Sequence, residues 1–386
     1  MDKQSAIALG VTAGLGVGYL LGKAQPSVPR VKAGQKPTTD LDEVERLIRP
    51  NILSLTPYRC ARDDYDQGIL LDANENSLGP PLQGHSQLQA MELERYPCPY
   101  QPELKNVITD FRNQNSTEKI SQANAFLGVG SDEAIDLIIR VACTPRVDNI
   151  MITPPTYGMY SVCANIHDVG IVSVPLQIEA LAENLKGLKP DLPLPAFHID
   201  PQEKYKGFVV VDEAYIDFSD TASLCTLVNK HRRLIVLQTL SKGFGLAGIR
   251  LGVAFGDPKL IQVLNNVKAP YNISKLTSDV ARKAFSNLDE LRKNVNLIKE
   301  ASEKYRVIKE LQKLSFVRCI YASDSNFVLF EIPHALSVYR QMAGRGVVIR
   351  YRGNQHLLTD CLRATIGSRE ENDRMLELLV EVYGEQ

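Results

Sequence analysis

From about residue 70, short apolar runs alternate with stretches whose apolar residues recur every three or four positions. That alternation predicts an α/β fold, a largely parallel sheet covered by helices on both faces. The run Ala125–Leu127 leads into Gly128-Val129-Gly130-Ser131-Asp132-Glu133 and then Ala134, Ile135, Leu137, Ile138, Ile139 and Val141. The second group predicts a buried helix, with Ser131 as its cap and the acids complementing its first turn. Ile150–Ile152 predicts a short strand stopped by Pro154 and Pro155. Val209-Val210-Val211 predicts a central parallel strand buried on both faces, and Leu234–Gln238 a second.

Toward the C-terminus the pattern changes to a smaller α+β lobe. Leu288–Leu314 predicts a long helical stretch, and Phe327–Ile332, Gly346–Tyr351 and Leu362–Ile366 predict strands. Ser368 with Glu371 predicts a capping box on a last helix whose apolar face holds Met375, Leu376, Leu378, Leu379, Val382 and Tyr383. The division expected is a 1–45 extension with linker, a 46–75 arm, a large domain over 76–285 and a small one over 286–386. A chain of 386 residues suits two unequal domains.

Two stretches break the pattern. Ala6–Gly22 is uncharged, and Gly10, Gly14, Gly18 and Gly22 fall on one helical face. It is short for a membrane span and has no convincing cleavage site, so a glycine-rich tail and a membrane or targeting segment within residues 1–25 both stand. The second break lies between Leu176 and Tyr215, where four prolines from Pro190 to Pro201 exclude an interior strand.

Composition narrows the function classes. With 44 basic against 45 acidic side chains, the chain gives no electrostatic reason to expect nucleic acid as a partner. Seven scattered cysteines without a C-x-x-C pair suit a reducing compartment, so the cytoplasm is expected. The six histidines form no ligand cluster, and nothing implies a metal.

The candidate chemistry lies at strand ends. Asp212 closes the valine run and could pair with a protonated ring nitrogen, while Tyr215 could reach a neighbouring ring oxygen. Tyr157 could stack on a flat ring, and the glycine turn before Ser131 could offer N–H groups to a phosphate. Taken singly, each of these is as well explained by packing, a solvated strand end or an ordinary turn. Lys242 follows an apolar strand in Ser241-Lys242-Gly243-Phe244-Gly245, a poor place for a solubilising lysine and a good one for a Schiff base. Ser241 and Arg250 flank it with a hydroxyl and a guanidinium suited to phosphate oxygens. Together the glycine turn, Tyr157, Asp212 and the flanked Lys242, in one order along one domain, outweigh their separate signals.

At these residues the chain resembles the fold-type I aminotransferases, and within them the histidinol-phosphate aminotransferase family in its fungal form. The resemblance runs from about Leu47 to Gly384 through TPYRCARDD, LLDANENSLGP, ERYP, LGVGSDEAID, PPTYGMYSVCANI, VVVDEAYIDF, QTLSKGFGLAGIRLG, KAPYNIS, VVIRYRGN and CLRATIG. It implies pyridoxal 5'-phosphate as cofactor, held covalently by Lys242, which also moves the substrate's Cα proton. Asp212 would hold the ring nitrogen and Tyr215 the phenolic oxygen. Tyr157 would stack on the ring, and Ser131, Asp132, Ser241 and Arg250 would hold the phosphate. Tyr96 would reach the partner's cofactor phosphate in a homodimer.

For the substrate, the resemblance implies that Arg363 clamps the carboxylate of glutamate or 2-oxoglutarate and Arg350 faces the phosphate of histidinol phosphate. Tyr58, Asn74 and Tyr271 complete the substrate side. The reaction implied moves an amino group between glutamate and imidazole-acetol phosphate in histidine biosynthesis. An aminotransferase for an aromatic amino acid and an inactive product of an incomplete reading frame are the alternatives. The last follows from a departure: the family's S-P-x-N-P-T-G turn, with the strand before it and the helix after it, is missing ahead of Gly207. Membrane contact is expected only through residues 6–22, if at all.

Overall fold

The computed structural model describes residues 41–55, 72–76, 80–81, 88, 90–175, 206–299, 303–321 and 323–385. The expectations for residues 1–40, for Tyr58 and for the proline-rich stretch therefore lie outside the described residues. Over residues 102–285 the strands are β1 (Ala125–Val129), β2 (Asn149–Ile152), β3 (Gly170–Ser173), β4 (Val209–Asp212), β5 (Leu234–Thr239) and β6 (Leu251–Phe255). The helices are α1 (Pro102–Asn113), α2 (Gly130–Ala142), α3 (Met159–Ile166), α4 (Pro258–Val267) and α5 (Lys275–Phe285).

Four of these strands form one sheet in the order β1-β6-β5-β4, while β2 and β3 form a separate parallel pair. Strand β6 alone runs against its neighbours; β4 and β5 are parallel. The expected single sheet is thus two sheets among the described residues. The expectation for the valine run is corrected with it. Strand β4 is an edge strand, Val209–Val211 are only half-buried, and β5 is its one strand neighbour. Strand β2 is likewise an edge, with Met151 63% exposed. Both strands have the apolar character of an interior position and, among the described residues, each has one edge without a partner strand.

One helical layer nevertheless covers both sheets. Ala134, Ile135, Leu137, Ile138 and Val141 of α2 share a core with Cys163 and Ala164 of α3, and against it pack Ile150 and Ile171 from one sheet and Phe208 and Val210 from the other. A second core, on the opposite face of the larger sheet, gathers Leu127, Leu234, Val236, Val253 and Phe255 with Leu104 and Ile108 of α1.

Helix α2 begins one residue before the expected cap. Val129 is the N-cap and uses no side chain, Ser131 is already inside the helix, and the Glu133 carboxylate accepts the Val129 N–H at 2.6 Å. Gly130 has φ +71°, and a Cβ there would run into the Arg250 guanidinium. A Cβ on Gly252 would strike the Gly130 backbone, so strand β6 passes directly against the β1–α2 turn.

The C-terminal part has its own core. It contains α6 (Leu288–Lys299), α7 (Glu303–Lys313), β7 (Cys319–Tyr321), β8 (Phe327–Glu331), α8 (Ala335–Gly344), β9 (Arg350–Tyr351), β10 (Cys361–Thr365) and α9 (Arg369–Gly384). The expected long helix is described as two, α6 and α7, and β7 is an additional strand. The sheet order is β7-β8-β10-β9, antiparallel throughout. Ser368 and Glu371 form the expected capping box.

Candidate active site

The site is built where β4 and β5 end together. These strands are parallel and in register, with Asp212 opposite Leu237. A buried polar network fixes the ends. Glu213 accepts from Gln238 Nε2 at 2.9 Å, Ser223 Oγ at 2.6 Å and the Leu224 N–H at 2.8 Å. Arg112 then joins Gln238 at 2.7 Å to Asp217 at 2.8 Å. Breaking such a network leaves polar groups buried without partners, so it holds the backbone on either side of it.

Asp212 is therefore well placed. Its Oδ2 accepts from the Tyr160 hydroxyl at 2.9 Å and its Oδ1 from the Ala214 N–H at 3.1 Å. The residue is exposed, yet the protein crowded around the carboxyl raises its pKa, and these two hydrogen bonds offset only part of the shift. Burial, then the neighbouring Asp212 charge, also pushes the Tyr160 hydroxyl upward.

The lysine turn closes on itself. Gly245 N–H bonds to the Lys242 carbonyl and Leu246 N–H to that of Leu240, both at 3.0 Å. The Lys242 ammonium stands over the Tyr215 ring, 5.6 Å from its centre. Among the described residues it has no hydrogen-bond or ion-pair partner. The Ser241 hydroxyl lies 3.0 Å from that of Thr239.

Beside the lysine is an anion-seeking end. Ser131 and Asp132 lie in the first turn of α2, where backbone N–H groups have no acceptor within the helix. Arg250, left-handed at φ +53°, reaches Asp132 Oδ2 at 3.2 Å. Tyr157 donates to Asp132 Oδ1 at 3.0 Å, and burial, then that carboxylate, pushes its hydroxyl up to about 12.

On the other side an aromatic lane leads away from Lys242. Tyr215 meets the Phe327 ring edge-on at 5.6 Å, and the Arg363 guanidinium lies over Phe327 at 5.1 Å. Strand β10 lies between β8 and β9, so Arg363 is not on an exposed edge. Its Nε is buried without a hydrogen-bond partner. Arg350 sits directly opposite it on β9.

Asn74, Tyr96 and Tyr271 form a separate group. Tyr96 stacks on Tyr271 at 4.6 Å and is 51% exposed, and all three line a cavity of about 370 Å³ with Arg95 and Lys275. Contacts thus connect Asp132, Arg250 and Tyr157 with Asp212 through Tyr160, and Lys242 with Tyr215 and, through Phe327, Arg363; Ser131 and Ser241 lie beside Asp132 and Lys242 in the chain, and Arg350 lies opposite Arg363. The pattern of the sequence gave no sign of Tyr160 or Phe327. Arg352, two residues after Arg350 along a strand, could have been found from strand periodicity.

A flat ring carrying a phosphate suits this cleft. The helix start and Arg250 answer the phosphate, Tyr157 and Asp212 answer the ring, and the unpartnered lysine answers a carbonyl carbon. The comparisons agree. The family model for aminotransferase class I and II matches residues 66–193 and 199–379. The chain belongs to the class I and II aminotransferase family. It is 43% identical over 377 residues to a histidinol-phosphate aminotransferase of Candida maltosa, covering 87% of this chain and 97% of the relative. A solved histidinol-phosphate aminotransferase from Clostridium acetobutylicum shares the aminotransferase fold with a TM-score of 0.65 at 22% identity, covering 81% of this chain and 98% of that one. One from Sinorhizobium meliloti, in complex with pyridoxal-5'-phosphate, does so with a TM-score of 0.62 at 22% identity, covering 87% and 97%.

Proposed function

We propose that the chain is a pyridoxal-phosphate-dependent aminotransferase that moves an amino group between glutamate and imidazole-acetol phosphate to give histidinol phosphate. The observation that carries the reading is the unpartnered Lys242 ammonium over Tyr215, on a lane that ends at the unpartnered Nε of Arg363. When bound, the cofactor supplies a ring that takes up the electron pair left by breaking a substrate Cα–H bond.

The chain's own residues supply the rest. The Lys242 amine holds the cofactor and takes up the proton released at the substrate's Cα. The Asp212 carboxylate keeps a proton on the ring nitrogen by its charge, and Tyr215 bonds the phenolic oxygen. Tyr157 lies against the ring, while Ser131, Asp132, Ser241 and Arg250 hold the phosphate. Arg363 takes the carboxylate of glutamate in its planar fork, a task lysine performs poorly. Arg350 faces the substrate phosphate, with Asn74, Tyr58 and Tyr271 on the same side. Tyr96, exposed on its stacked partner, reaches the second subunit of a homodimer. The large and small lobes divide near residue 285, between the two separate sets of cores.

The test is transamination of histidinol phosphate with 2-oxoglutarate by the purified chain, beside Lys242→Ala. Lysine-dependent turnover is expected, and folded protein that shows none refutes the reading.

One observation favours a second reading, in which the chain lacks a strand, turn and helix and its site is incomplete. Strands β4 and β2, both apolar, present unpaired edges among the described residues, and the family match stops at Pro193 and resumes at Ile199. Restoring the missing unit is its test: cofactor affinity rises if the gap matters. The reducing cytoplasm is the compartment that the scattered cysteines of the sequence, without a C-x-x-C pair, favour.

A further inference from the structure

The arginine end of the cleft holds one cation more than the roles assigned above. Arg350 and Arg363 face each other across the β9–β10 ladder, and the ladder continues where the Arg352 N–H bonds to the Cys361 carbonyl at 2.9 Å. The period of two in a strand puts Arg352 on the face of Arg350, and the antiparallel register puts Arg363 on that face as well. Like charges directly opposite destabilise a sheet. Among the described residues none of the three guanidiniums is in a salt bridge with a carboxylate. Burial lowers the Arg352 pKa first, and the charges of Arg363 and Arg350 add to the effect.

Arg352 is nevertheless held in place. Its Nη2 donates to Gln355 Oε1 at 2.6 Å, and Gln355 Nε2 lies 3.5 Å from the carbonyl of Thr156, the residue before Tyr157. Three mutually repelling guanidiniums, one with a buried unpartnered Nε, are an arrangement completed by an anion.

We infer that Arg352 is a third anion-binding residue, one that favours a phosphate dianion over a carboxylate. The inference rests on the reading above, in which one site alternates between two substrates. A carboxylate offers two oxygens and one charge, which a single guanidinium fork satisfies. A phosphate monoester offers three oxygens and close to two charges, so a further guanidinium gains most on the phosphate substrate. Gln355 is the positioning residue that keeps Arg352 aimed at this end of the cleft.

Calorimetric titration of inorganic phosphate and of acetate, a monocarboxylate, into the full chain tests this, in an Arg250→Ala background that takes the guanidinium from the other anion-seeking end. Arg352→Gln is expected to weaken phosphate by about tenfold or more, as loss of a charge-assisted hydrogen bond does, and acetate distinctly less. Arg352→Lys restores part of the difference and shows that a folded site has been measured. Equal weakening of both anions, an unchanged phosphate affinity, or no phosphate binding by the parent overturns the inference. Turnover of histidinol phosphate by the wild-type chain is scored separately. Its absence removes the proposed substrate and leaves the anion preference to the titrations.

Discussion

Strands β5 and β4 lie side by side in one sheet and carry equally apolar sequences, yet they live in different surroundings. Every residue of β5 is buried, whereas Val209–Val211 of β4 are half-buried and β2, in the separate pair, exposes Asn149 and Met151. Lys242 follows the first strand and Asp212 ends the second. The lysine is thus mounted on a strand enclosed on both sides, and the aspartate on a strand enclosed on one. Catalytic geometry depends on the rigidity of what lies behind it. The Glu213–Gln238–Arg112 network reads as the device that steadies the aspartate end, since it ties the residue after Asp212 to the interior of β5.

The contrast can be broken or sharpened by substitution. The largest effect is expected from Lys242→Ala, which should lower kcat on the order of 10⁴-fold, the upper range for loss of a general base. Because the side chain has no hydrogen-bond or ion-pair partner among the described residues, the unfolding free energy should move by less than about 0.5 kcal/mol. Steady-state kinetics and denaturant melts measure the two quantities, and a large stability loss would mean that the lysine is structural.

Next come Ile235→Ala on β5 and Ile150→Ala on β2, the same change in the two environments. The fully buried Ile235 should cost about 3 to 5 kcal/mol and the half-buried Ile150 about 1 to 2. Equal costs would show β2 to be as enclosed as β5. Glu213→Ala should cost about 1 to 3 kcal/mol by stranding the donors of Gln238, Ser223 and Leu224. It should also weaken cofactor binding measurably, whereas Ile150→Ala should not.

The smallest effect concerns pH. The folded-state pKa of Asp212 is raised, so the unfolded chain releases this proton at lower pH than the folded one. The carboxyl's favourable contribution is therefore complete below the ordinary aspartate pKa of about 3.9 and is lost as pH rises through the folded value. Asp212→Asn should melt slightly above the parent at neutral pH, and the difference should vanish near pH 4 and below. A variant that melts lower at neutral pH would reverse the sign of this account.

Much of this was legible along the chain, for a physical reason in each case. Buried strands such as β5 announce themselves as unbroken apolar runs, and the Ser368–Glu371 box is a local motif that needs no tertiary information. The valine run was legible as an interior strand and lies at an edge, because a strand's composition states its need for neighbours and cannot show whether they are present. Ser131 seemed a cap by residue type, but Gly130 enters the helix first, and Glu133 accepts the N–H of the N-cap residue Val129. Tyr160 was invisible because its partner, Asp212, is 52 residues away and only the packed sheet brings them together. Strand β7 is three residues long, too short for an alternating pattern to register.

Lys242 is proposed to anchor a cofactor site whose aspartate wall is weakened because β4, among the described residues, has β5 as its one strand neighbour. The most direct test of this is a cofactor titration followed by absorbance, on this chain and on a version with the strand, turn and helix restored ahead of Gly207. The account predicts a bound-cofactor band in both that disappears in Lys242→Ala, with affinity about tenfold or more higher in the restored chain, as expected for one regained hydrogen bond and a closed sheet. A band that survives Lys242→Ala, or equal affinity in the two chains, would contradict it.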